Sequence, residues 1–558
     1  MAVGVIFAAI CGLAERFAVQ GAGGARALWY SVLPPMLALS LAFLTRNVVL
    51  SLGAAILVGG LLSEVPAAPL DLVSWLSGLQ AAGGLVGRAV SSRSNLQILA
   101  FIPLIFVMIE VVVASGGFRG IIHWLLKRVK NARSAQVATA TMGVLCFIDD
   151  YANAIIVGSM MRPITDRFRI SREKLAFIVD ATSAPVAGLA VVSTWIAYEV
   201  GLLGQVAEEL GVERSGYSMF FDALRYRFYC LLMISFVFLH VILRRDFGPM
   251  KAAERSAGGN DSERPGPTDP PEEAGRSFGS GIADPPARAV NALVPLGGLI
   301  LFHIVGLWVD GGGPAEFEGA GSLASLSYWR DVIGAAKNTH LILDCAALFG
   351  LALSLLCWRL SGTLRIKPLG ACFRQGLRRT MIPFVILVLA WSLKNCCDRL
   401  GTGRFLTTVL AGRIAACWFA PAVFVVASLS SFATGTSYGT MAILIPTAVP
   451  VAFALDGNSY GLTTMITVGA VLDGAIFGDH CSPISDTTIM SSAASSCELM
   501  RHVRTQLPYS LFVAALALLC AYIPSGLGLP AGLSLMAAAF VMSCLLLVGV
   551  RPEKAAGA

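Results

Sequence analysis

Charge is scarce in this sequence. Of its 558 residues only 13% are Asp, Glu, Lys or Arg, whereas 56% are hydrophobic and the mean hydropathy is +0.74. Soluble domains carry roughly 25% charged residues, so this composition excludes a soluble globular protein. The formal net charge of +7 comes from short basic clusters between apolar runs, which report membrane topology rather than nucleic-acid binding.

Paired cysteines and clustered histidines are also missing. The 13 cysteines stand mostly alone inside apolar segments and form no CxxC pair, and the six histidines give no HxxxH pattern. These absences exclude a disulfide framework and a zinc site, and we expect no cofactor. The apolar run at residues 2–14 lacks the basic start of a signal peptide, and we interpret residues 1–27 as an N-terminal segment with a short extra helix.

Long apolar runs dominate the rest of the chain. Runs of about 20 apolar residues are typical of membrane-spanning helices, and they recur along its whole length. The sequence therefore predicts an all-α polytopic membrane protein with about 11–12 transmembrane helices. The predicted spans are approximately residues 28–44, 48–62, 96–115, 177–203, 228–243, 290–309, 340–358, 380–393, 462–477, 507–523 and 531–550.

One stretch departs from this pattern. Residues 246–289 are rich in proline, glycine, serine and acids, with almost no large apolar side chains. Such a stretch cannot bury enough surface to offset its ordering entropy, so we predict a flexible linker, which the preceding arginines place in the cytoplasm. It separates a first membrane repeat half (28–245) from a second (290–550), and residues 551–558 form a cytoplasmic tail.

Residues 135–161 do not behave as a single span. Basic clusters precede and follow the segment, and the positive-inside rule then places both of its ends in the cytoplasm. Crossing a bilayer twice needs roughly 40 residues, which this segment lacks. It therefore predicts a re-entrant hairpin whose non-helical tip, Phe147 to Asn153, is buried in protein or lines a wet cavity.

The two halves resemble each other. An Ile-Pro pair opens a span at 102–103 and again at 382–383, and the first hairpin tip has a counterpart in residues 432–438. Residues 180–188 follow the first tip as the stretch from Asp473 follows the second. Counting crossings makes the units inverted, and inverted repeats with interrupted helices predict an alternating-access transporter whose site lies where the repeats meet.

The most polar interruption of an apolar run lies in residues 473–488. It holds three carboxylates, an imidazole, several hydroxyls and Pro483. Each unsatisfied polar group in hydrocarbon costs several kcal/mol, so this many polar groups at membrane depth indicate a function. Glycine before the polar run and proline within it predict a broken helix with free backbone carbonyls, which is typical of a cation site in a transporter.

Oxygen ligands are what a hard cation such as Na⁺ prefers, and the two tips and the broken helix supply them. We predict proton and cation coupling at Asp149, Asp150, Asp479, His480 and Asp486. Cation- or substrate-binding oxygens are predicted at Asn153, Thr182, Ser183, Thr434, Thr436, Ser437, Ser482, Ser485 and Thr487, with further candidates at Asp180, Asp473 and Glu110.

Several of these candidates have a second interpretation. Aspartate, asparagine, serine and threonine also suit helix N-caps, and Asp180 and Asp473 are either such caps or part of an ion path. His480 either titrates as a pH sensor or proton carrier, or stays neutral and orients Asp479. Glu110 either faces a cavity or pairs with a basic residue.

Competition at one site is the mechanism that these residue types favour. Burial beside a second carboxylate favours the protonated acid, so a proton and a cation can compete for one group. An organic acid held by half-helix N-termini requires a cationic or donor-rich site, whereas these tips are acid-rich.

Two other classes of protein were considered. An intramembrane aspartyl protease with paired aspartates does not match the repeats and hairpins. A channel is separated from a carrier only by turnover kinetics.

The same motifs carry a family resemblance. Residues 477–492, followed by residues 502–509, closely resemble the signature of the NhaC-type sodium/proton antiporter family, and residues 432–440 and 147–153 resemble its other two motifs. The resemblance implies the fold of the wider ion transporter superfamily, with two inverted repeats that each hold a re-entrant hairpin and a broken helix. It also implies a homodimeric carrier with an elevator-like transport domain.

The resemblance further implies an activity. Such a protein exports sodium in exchange for protons across the cytoplasmic (inner) membrane, as a multi-pass transporter rather than an enzyme, with a cytoplasmic C-terminus. Its partners are membrane lipids and small ions, with no nucleic acid and no cofactor beyond the transported Na⁺ and H⁺. Some relatives exchange organic acids, such as malate for lactate, or move amino acids, so the family alone does not define the substrate.

Overall fold

The fold is helical throughout the part of the chain that the structure covers. A computed structural model describes residues 19–20, 26–27, 29–45, 47–65, 71–126, 129–258, 288–315, 317, 319, 326–362, 366–402, 405 and 415–549. Within them, the exception is one antiparallel pair of two-residue strands, β1 (Val19–Gln20) and β2 (Arg26–Ala27). A short helix was predicted within residues 1–27. Apart from the four strand residues, that segment lies outside the described residues.

The first half of the chain contains most of the predicted spans as helices. Its helices are α1 (Leu33–Thr45), α2 (Val48–Glu64), α3 (Leu72–Ser91), α4 (Arg93–Ala114), α5 (Gly117–Leu126), α6 (Ala132–Leu145), α7 (Asp150–Arg167), α8 (Arg172–Ala181), α9 (Ala184–Ala187), α10 (Ile196–Glu209), α11 (Gly216–Leu224), α12 (Phe228–Leu243) and α13 (Gly248–Gly258). The sequence does not predict α3, because glycines and serines interrupt its apolar run.

The second half is helical as well. Its helices are α14 (Val290–Asp310), α15 (Leu326–Ala335), α16 (Thr339–Leu360), α17 (Ile366–Leu400), α18 (Ala416–Thr434), α19 (Ser437–Leu455), α20 (Leu462–Cys481), α21 (Asp486–Ala494), α22 (Leu499–Leu516), α23 (Ile523–Gly526) and α24 (Ala531–Gly549). A π-helical segment, Ala517–Tyr522, joins α22 to α23.

Membrane-spanning helices are plentiful among the described residues. Nine helices there are long and apolar enough to cross a bilayer, or ten when the bent pair α11 and α12 counts as one span. Several further predicted spans are short or broken helices, which lowers the number of long ones. The all-α polytopic membrane fold predicted from composition is confirmed.

The helices pack as two groups. Helices α1 to α4 pack with α14, α16 and α17, and this set is called the outer group. Helices α6 to α9 pack with α12, α18 and α20 to α24, which form the inner group. Helix α19 contacts α18 and α20 on one side and α17 on the other, and α10 joins α19 to α4. The interface between the groups therefore runs along α10 and α19.

Two helical hairpins belong to the inner group and its border. Helices α6 and α7 form the hairpin predicted at 135–161, and α18 and α19 form the one whose tip was predicted at 432–438. Asp149 caps α7 with φ −149° and ψ 126°, and Thr436 caps α19 with φ −150° and ψ 124°. Because both tips adopt the same backbone conformation at the same place, they are equivalent parts of the repeat.

Each hairpin tip lies against a break in another helix. The chain breaks after α8 at Thr182 and Ser183, and after α20 around Pro483. Residues 177–203, predicted as one span, are therefore two helices with a short helical turn and a loop between them. Asp473 lies within α20 and not at its break, so the position equivalent to Asp180 is that of Asp479 rather than Asp473.

Part of the predicted linker is ordered. Residues 248–258 form helix α13, which packs against α8 and α22. The prediction of a flexible linker is therefore wrong for residues 246–258, because Glu254 and Asp246 find buried partners that composition does not reveal. Residues 259–287 and the predicted tail at 551–558 lie outside the described residues.

Candidate functional site

The hairpin tips and the break after α20 meet around one cavity. It has a volume of about 50 Å³ and is called the central cavity below; it is lined by Asp150, Tyr151, Trp195, Gly435, Thr436, Ser437, Tyr438, Asp479, Asp486 and Thr487. Gly435 lets the second tip approach the break closely, since its φ is +67° and an added Cβ would lie 2.8 Å from the Ile484 carbonyl oxygen. The central cavity thus joins elements from both repeats.

Negative charge dominates the central cavity. The described residues that line it include the carboxylates of Asp150, Asp479 and Asp486, and none of these lining residues is a lysine, arginine or histidine. Asp150 and Asp479 are only 3% and 6% exposed, whereas Asp486 is exposed. The cavity therefore combines one acid that is accessible to water, Asp486, with two buried acids, Asp150 and Asp479.

Asp479 is held from the second hairpin. Its Oδ2 accepts a 2.7 Å hydrogen bond from the hydroxyl of Ser437, which also contacts the Ala475 carbonyl at 3.2 Å. Ser437 is the first residue of α19, and Asp479 lies in the last turn of α20 before its break. The hydrogen bond between Ser437 and Asp479 therefore links the tip of the second hairpin to the broken helix α20.

Aromatic rings close one side of the central cavity. The ring of Tyr438 stacks on Tyr198 at 4.3 Å and meets Trp195 edge-on at 5.0 Å. The hydroxyl of Tyr198 also donates to the Tyr438 carbonyl oxygen at 2.5 Å. Since Tyr198 and Trp195 belong to the first half and Tyr438 to the second, this wall joins the two repeats.

The predicted hydroxyls of the second half divide into two sets. Thr436, Ser437 and Thr487 line the central cavity. Thr434 instead donates to Ser430 in its own helix, and Ser482 donates to the Phe432 carbonyl at 2.7 Å. The hydroxyls of Ser485 and Thr487 contact each other at 2.9 Å, so Ser485 supports a lining residue without lining the cavity itself.

The predicted polar residues of the first half mainly hold its hairpin in place. The amide of Asn153 donates to the Gly143 and Thr182 carbonyls at 2.6 and 2.8 Å, and Ser183 donates to the Asp150 carbonyl at 2.6 Å. These bonds join the tip to the break after α8. Asn153 and Ser183 therefore support the backbone around Asp150 and do not line the cavity.

Three of the remaining first-half candidates also lie away from the central cavity. Thr182 donates to Ile178 in its own helix at 2.7 Å. Asp149 acts as the N-cap of α7, with one carboxylate oxygen bonded to Ala152 N at 2.7 Å and the other without a partner among the described residues. Glu110 pairs with Arg379 of α17 at 3.1 Å.

Asp180 and His480 belong to a second polar cluster behind the cavity. His502 and Gln506 of α22 contact Asp180 at 3.1 and 2.9 Å. The ring of His480 turns to Tyr229, 2.9 Å from its hydroxyl, instead of orienting Asp479. Sequence reasoning did not assign roles to His502 and Gln506, although polar side chains within an apolar helix are the signal that could have marked them.

Asp473 belongs to a third buried group. Its carboxylate accepts from Arg227 Nε at 2.9 Å, from the Tyr229 backbone amide at 2.6 Å and from the Tyr522 hydroxyl at 2.8 Å. Glu199 lies 3.6 Å from the same guanidinium. Asp473 is thus the centre of an ion-pair network and does not line the cavity. The sequence analysis did not single out its charged partners Arg227 and Glu199.

A further polar group ties α13 to the inner group outside the spanning segments. The ammonium of Lys174 contacts Asp246, and Glu254 accepts from Ser171 N at 2.8 Å. Burial raises the pKa of Asp246, but the Lys174 ammonium, His240 and the Tyr509 hydrogen bond together outweigh burial and leave that pKa below its ordinary value. For Glu254, burial raises the pKa to about 7 despite the attraction of Lys174.

Within the described ranges, no group of three or more His, Cys, Asp or Glu side chains is arranged to hold a metal ion. Two hairpins with buried tips, two broken helices and a cavity lined by acids are the architecture of a secondary membrane transporter. The fold and the site together define that class.

Comparison with known proteins narrows the class to a family. The model described as the Na⁺/H⁺ antiporter family matches residues 186–526. The chain therefore belongs to the Na⁺/H⁺ antiporter family, and the NhaC-type resemblance of its motifs is confirmed. This family consists of transporters and not of enzymes.

Curated relatives agree with this assignment. An uncharacterised protein of Haemophilus influenzae is 30% identical over 87% of this chain and 88% of its own length. The Na⁺/H⁺ antiporter NhaC of Alkalihalophilus pseudofirmus is 31% identical over 23% of this chain and 27% of its own. The malate-2H⁺/Na⁺-lactate antiporter of Bacillus subtilis is 37% identical over 17% and 19%.

A solved structure shares the fold. The YdaH transporter of Alcanivorax borkumensis superimposes with a TM-score of 0.54 and 14% identity, covering 92% of this chain and 98% of its own. That structure is described as having an unusual topology. At this identity the likeness shows the fold alone.

Proposed function

We propose that this protein exchanges sodium ions for protons across the cytoplasmic membrane by alternating access. The observation that carries the proposal is the central cavity, where Asp150, Asp479 and Asp486 converge with no basic side chain in the lining. Family membership supports antiport as the transport mode. The chemistry of the lining supports a cation as the transported species.

The lining suits a small hard cation. Na⁺ is best bound by oxygen ligands, and beside the three carboxylates the hydroxyls of Thr436, Ser437 and Thr487 line the cavity. A volume of about 50 Å³ accommodates an ion with few waters. Asp479 is the principal competing carboxylate in this proposal because it is buried and bonded to the opposing hairpin.

Exchange follows from the cost of buried charge. Ionised groups in a low-dielectric interior are expensive unless a counter-ion or a proton neutralises them. A cavity with two buried acids therefore reorients readily when loaded with a cation or a proton, but not when empty and charged. Any net charge moved per cycle couples to the membrane potential with about 2.3 kcal/mol per 100 mV.

The two helix groups offer a way to alternate access. The central cavity lies mainly within the inner group, and α19 separates that group from α17 of the outer group. A movement of the inner group past the outer one would expose the cavity first to one side and then to the other. The basic clusters around 119–133 and 162–174 support a cytoplasmic position for the first hairpin's ends, and the same rule supports a cytoplasmic C-terminus.

An organic acid is the second candidate substrate. The partial likeness to a malate/lactate antiporter motivates it, and an acid would need a positive or donor-rich pocket. Arg379 pairs with Glu110, and neither residue is among those that line the cavity. The acidic lining therefore favours the cation.

Proton flux in proteoliposomes tests the proposal. The full chain is reconstituted with a pH-sensitive dye inside, and sodium, lithium, potassium, malate or lactate is added outside. We expect sodium alone to drive proton movement, with saturation. A response to malate or lactate that needs no added cation would refute sodium/proton exchange and establish the organic acid instead.

A further inference from the structure

Behind the central cavity lies a polar cluster that is sealed from it. The inner cluster is defined here as Asp180 of α8, Ser491 of α21, and His502 and Gln506 of α22. All four residues are 0% exposed, and none lines the central cavity. Its polar groups are therefore not part of the proposed cation site.

Three side chains of the inner cluster contact the carboxylate of Asp180. Its Oδ1 faces the Ser491 hydroxyl at 3.4 Å, and its Oδ2 accepts from Gln506 Nε2 at 2.9 Å and lies 3.1 Å from His502 Nε2. These three side chains occupy the hydrogen-bonding positions around both carboxylate oxygens. As an acceptor, the carboxylate also requires that the His502 proton reside on Nε2.

His502 retains a free basic atom. Its Nδ1 has no hydrogen-bond partner among the described residues, although the ring is fully buried. A neutral ring with its proton on Nε2 presents a lone pair at Nδ1. A proton added to that lone pair produces an imidazolium beside a carboxylate. The net charge of the pair then changes from −1 to zero without breaking another bond.

Other ionisable groups surround the pair without neutralising it. Helix α20 contributes Asp479, His480 and Cys481, and α12 contributes Tyr229, whose hydroxyl bonds to the His480 ring. Helix α7 contributes Asp150, whose carbonyl accepts from Ser183. In the described part of the chain, the ion-pair partner found within 4.0 Å of Asp180 is His502.

Helix α21 contributes Asp486, which lines the central cavity, and α22 contributes Arg501, which pairs with Glu173 in the first turn of α8, and the exposed Arg504. The other helices around α8 carry their charges at its far end or have none. Helix α9 has no ionisable residue, and the ionisable residue of α6 is Arg133, next to that helix's first residue. Helix α13 contributes Glu254, which bonds to Ser171 just before α8 begins, and Lys174 in the first turn of α8 pairs with Asp246. These groups lie at the end of α8 opposite to Asp180.

Gln506 connects the inner cluster to the break in α20. Its amide donates both to Asp180 and to the His480 carbonyl oxygen, next to Asp479 in the chain. A charge change at Asp180 and His502 is therefore communicated to Asp479 both through this amide and through the electrostatic interaction between the two carboxylates.

We propose that the Asp180–His502 pair is a second proton-binding site, distinct from the central cavity, and that it carries the proton exchanged for the cation. The unprotonated pair adds negative charge behind Asp479 and so strengthens cation binding. The protonated pair removes that charge and favours cation release. This inference rests on the proposed sodium/proton exchange, and it replaces direct competition between proton and cation at Asp479 with coupling between two sites.

Two fluxes in proteoliposomes separate this inference from a single shared site. Exchange of radioactive sodium against unlabelled sodium requires cation binding and reorientation but no proton. Sodium-driven proton flux requires both. The test variants are Asp180→Asn, which keeps an acceptor oxygen for His502 and Gln506, and His502→Gln, which keeps a donor but cannot take up the proton.

We expect both variants to lose proton coupling selectively. Sodium-driven proton flux should fall about tenfold or more, while sodium/sodium exchange stays within about threefold of wild type, a difference below 1 kcal/mol. The sodium concentration for half-maximal exchange should also stop depending on pH. Asp222→Asn, a buried carboxyl paired with Arg214 at 3.2 Å, serves as the control and should leave both fluxes intact.

Each result decides the inference. Proton coupling retained in both folded variants would refute it, and so would the equal loss of both fluxes in a variant whose thermal unfolding matches wild type, because that pattern indicates a structural role. If one variant does not fold, the other carries the test. Absence of sodium-driven proton flux in the wild type would instead refute the proposed function, before either variant is compared.

Discussion

Asp479 and Asp180 occupy equivalent places in the two repeats but differ in their surroundings. Each lies in the last turn of a helix just before its break. Asp479 faces the central cavity and accepts one hydroxyl from the opposing hairpin. Asp180 is sealed among a histidine, an amide and a hydroxyl. The repeat thus supplies two similar acids, and only their neighbours make them different.

The difference shows how one architecture can hold two kinds of site. A cation needs room, several oxygens and an opening, and the cavity beside Asp479 offers these. A proton needs only a lone pair and can reside in a dry, fully packed place, as beside Asp180. Asp473 is a third case, since an arginine neutralises it within the protein.

The strongest test removes the charge of the cavity acid. In Asp479→Asn we expect both sodium/sodium exchange and sodium-driven proton flux to fall by about a hundredfold or more, equivalent to about 2.7 kcal/mol of cation binding. The reason is that the amide cannot neutralise the ion. Retention of either flux in the folded variant would show that the essential carboxylate lies elsewhere and would end the contrast with Asp180.

The third acid should affect folding rather than the ratio of the fluxes. Asp473→Asn leaves the fully buried Arg227 without its 2.9 Å partner, and breaking a buried ion pair in this way typically costs about 3–5 kcal/mol. We expect a lower thermal unfolding temperature in detergent. Proton and sodium fluxes per folded molecule should decline together. A selective loss of proton coupling would place Asp473 on the proton path.

A smaller effect should follow from the hydroxyl that holds Asp479. In Ser437→Ala the carboxylate loses a 2.7 Å hydrogen bond, and bonds to charged groups contribute about 1.5–3 kcal/mol. The half-saturating sodium concentration should therefore rise about tenfold or more, with proton coupling preserved. Ser428→Ala is the matched control, since that hydroxyl donates to Phe424 within its own helix; equal effects in both variants would contradict the assigned role.

The smallest effect concerns pH and helix α13. Because burial raises the pKa of Glu254 from 4.5 to about 7, the docked helix binds a proton that the undocked one releases between these values. Docking should be strongest below pH 4.5, weaken as pH rises to about 7 and then stay constant. Hydrogen exchange of residues 248–258, corrected for intrinsic rates, should rise severalfold across that window.

A matched pair of variants isolates this effect. Glu254→Gln should remove the pH dependence of exchange in α13, while Glu208→Gln, at an exposed position, should leave it unchanged. If the dependence persists in Glu254→Gln, another group controls the docking. Both variants should retain sodium-driven proton flux, because neither residue contacts the central cavity or the inner cluster.

Local rules predicted the hairpins and the broken helices well. Two signals were local. The basic clusters on both sides of 135–161 indicate which side of the bilayer the segment's ends occupy. The polar residues around Pro483 cost free energy in hydrocarbon whatever their distant partners are. The structure bears out α6 and α7, α18 and α19, and the break after α20. The ordered start of the linker was missed, since the buried partners of Asp246 and Glu254 are far away in sequence.

The sequence by itself determined that this is a helical membrane protein with interrupted helices and acids at membrane depth. A charged side chain in hydrocarbon is costly whatever its neighbours in the fold, so its presence in an apolar run is informative without a structure. Only the tertiary structure decided which acids share a space. It grouped Asp150 with Asp479, paired Asp180 with His502 and assigned Asp473 to Arg227. Those partners come from distant helices, and their contacts depend on how the two repeats pack together.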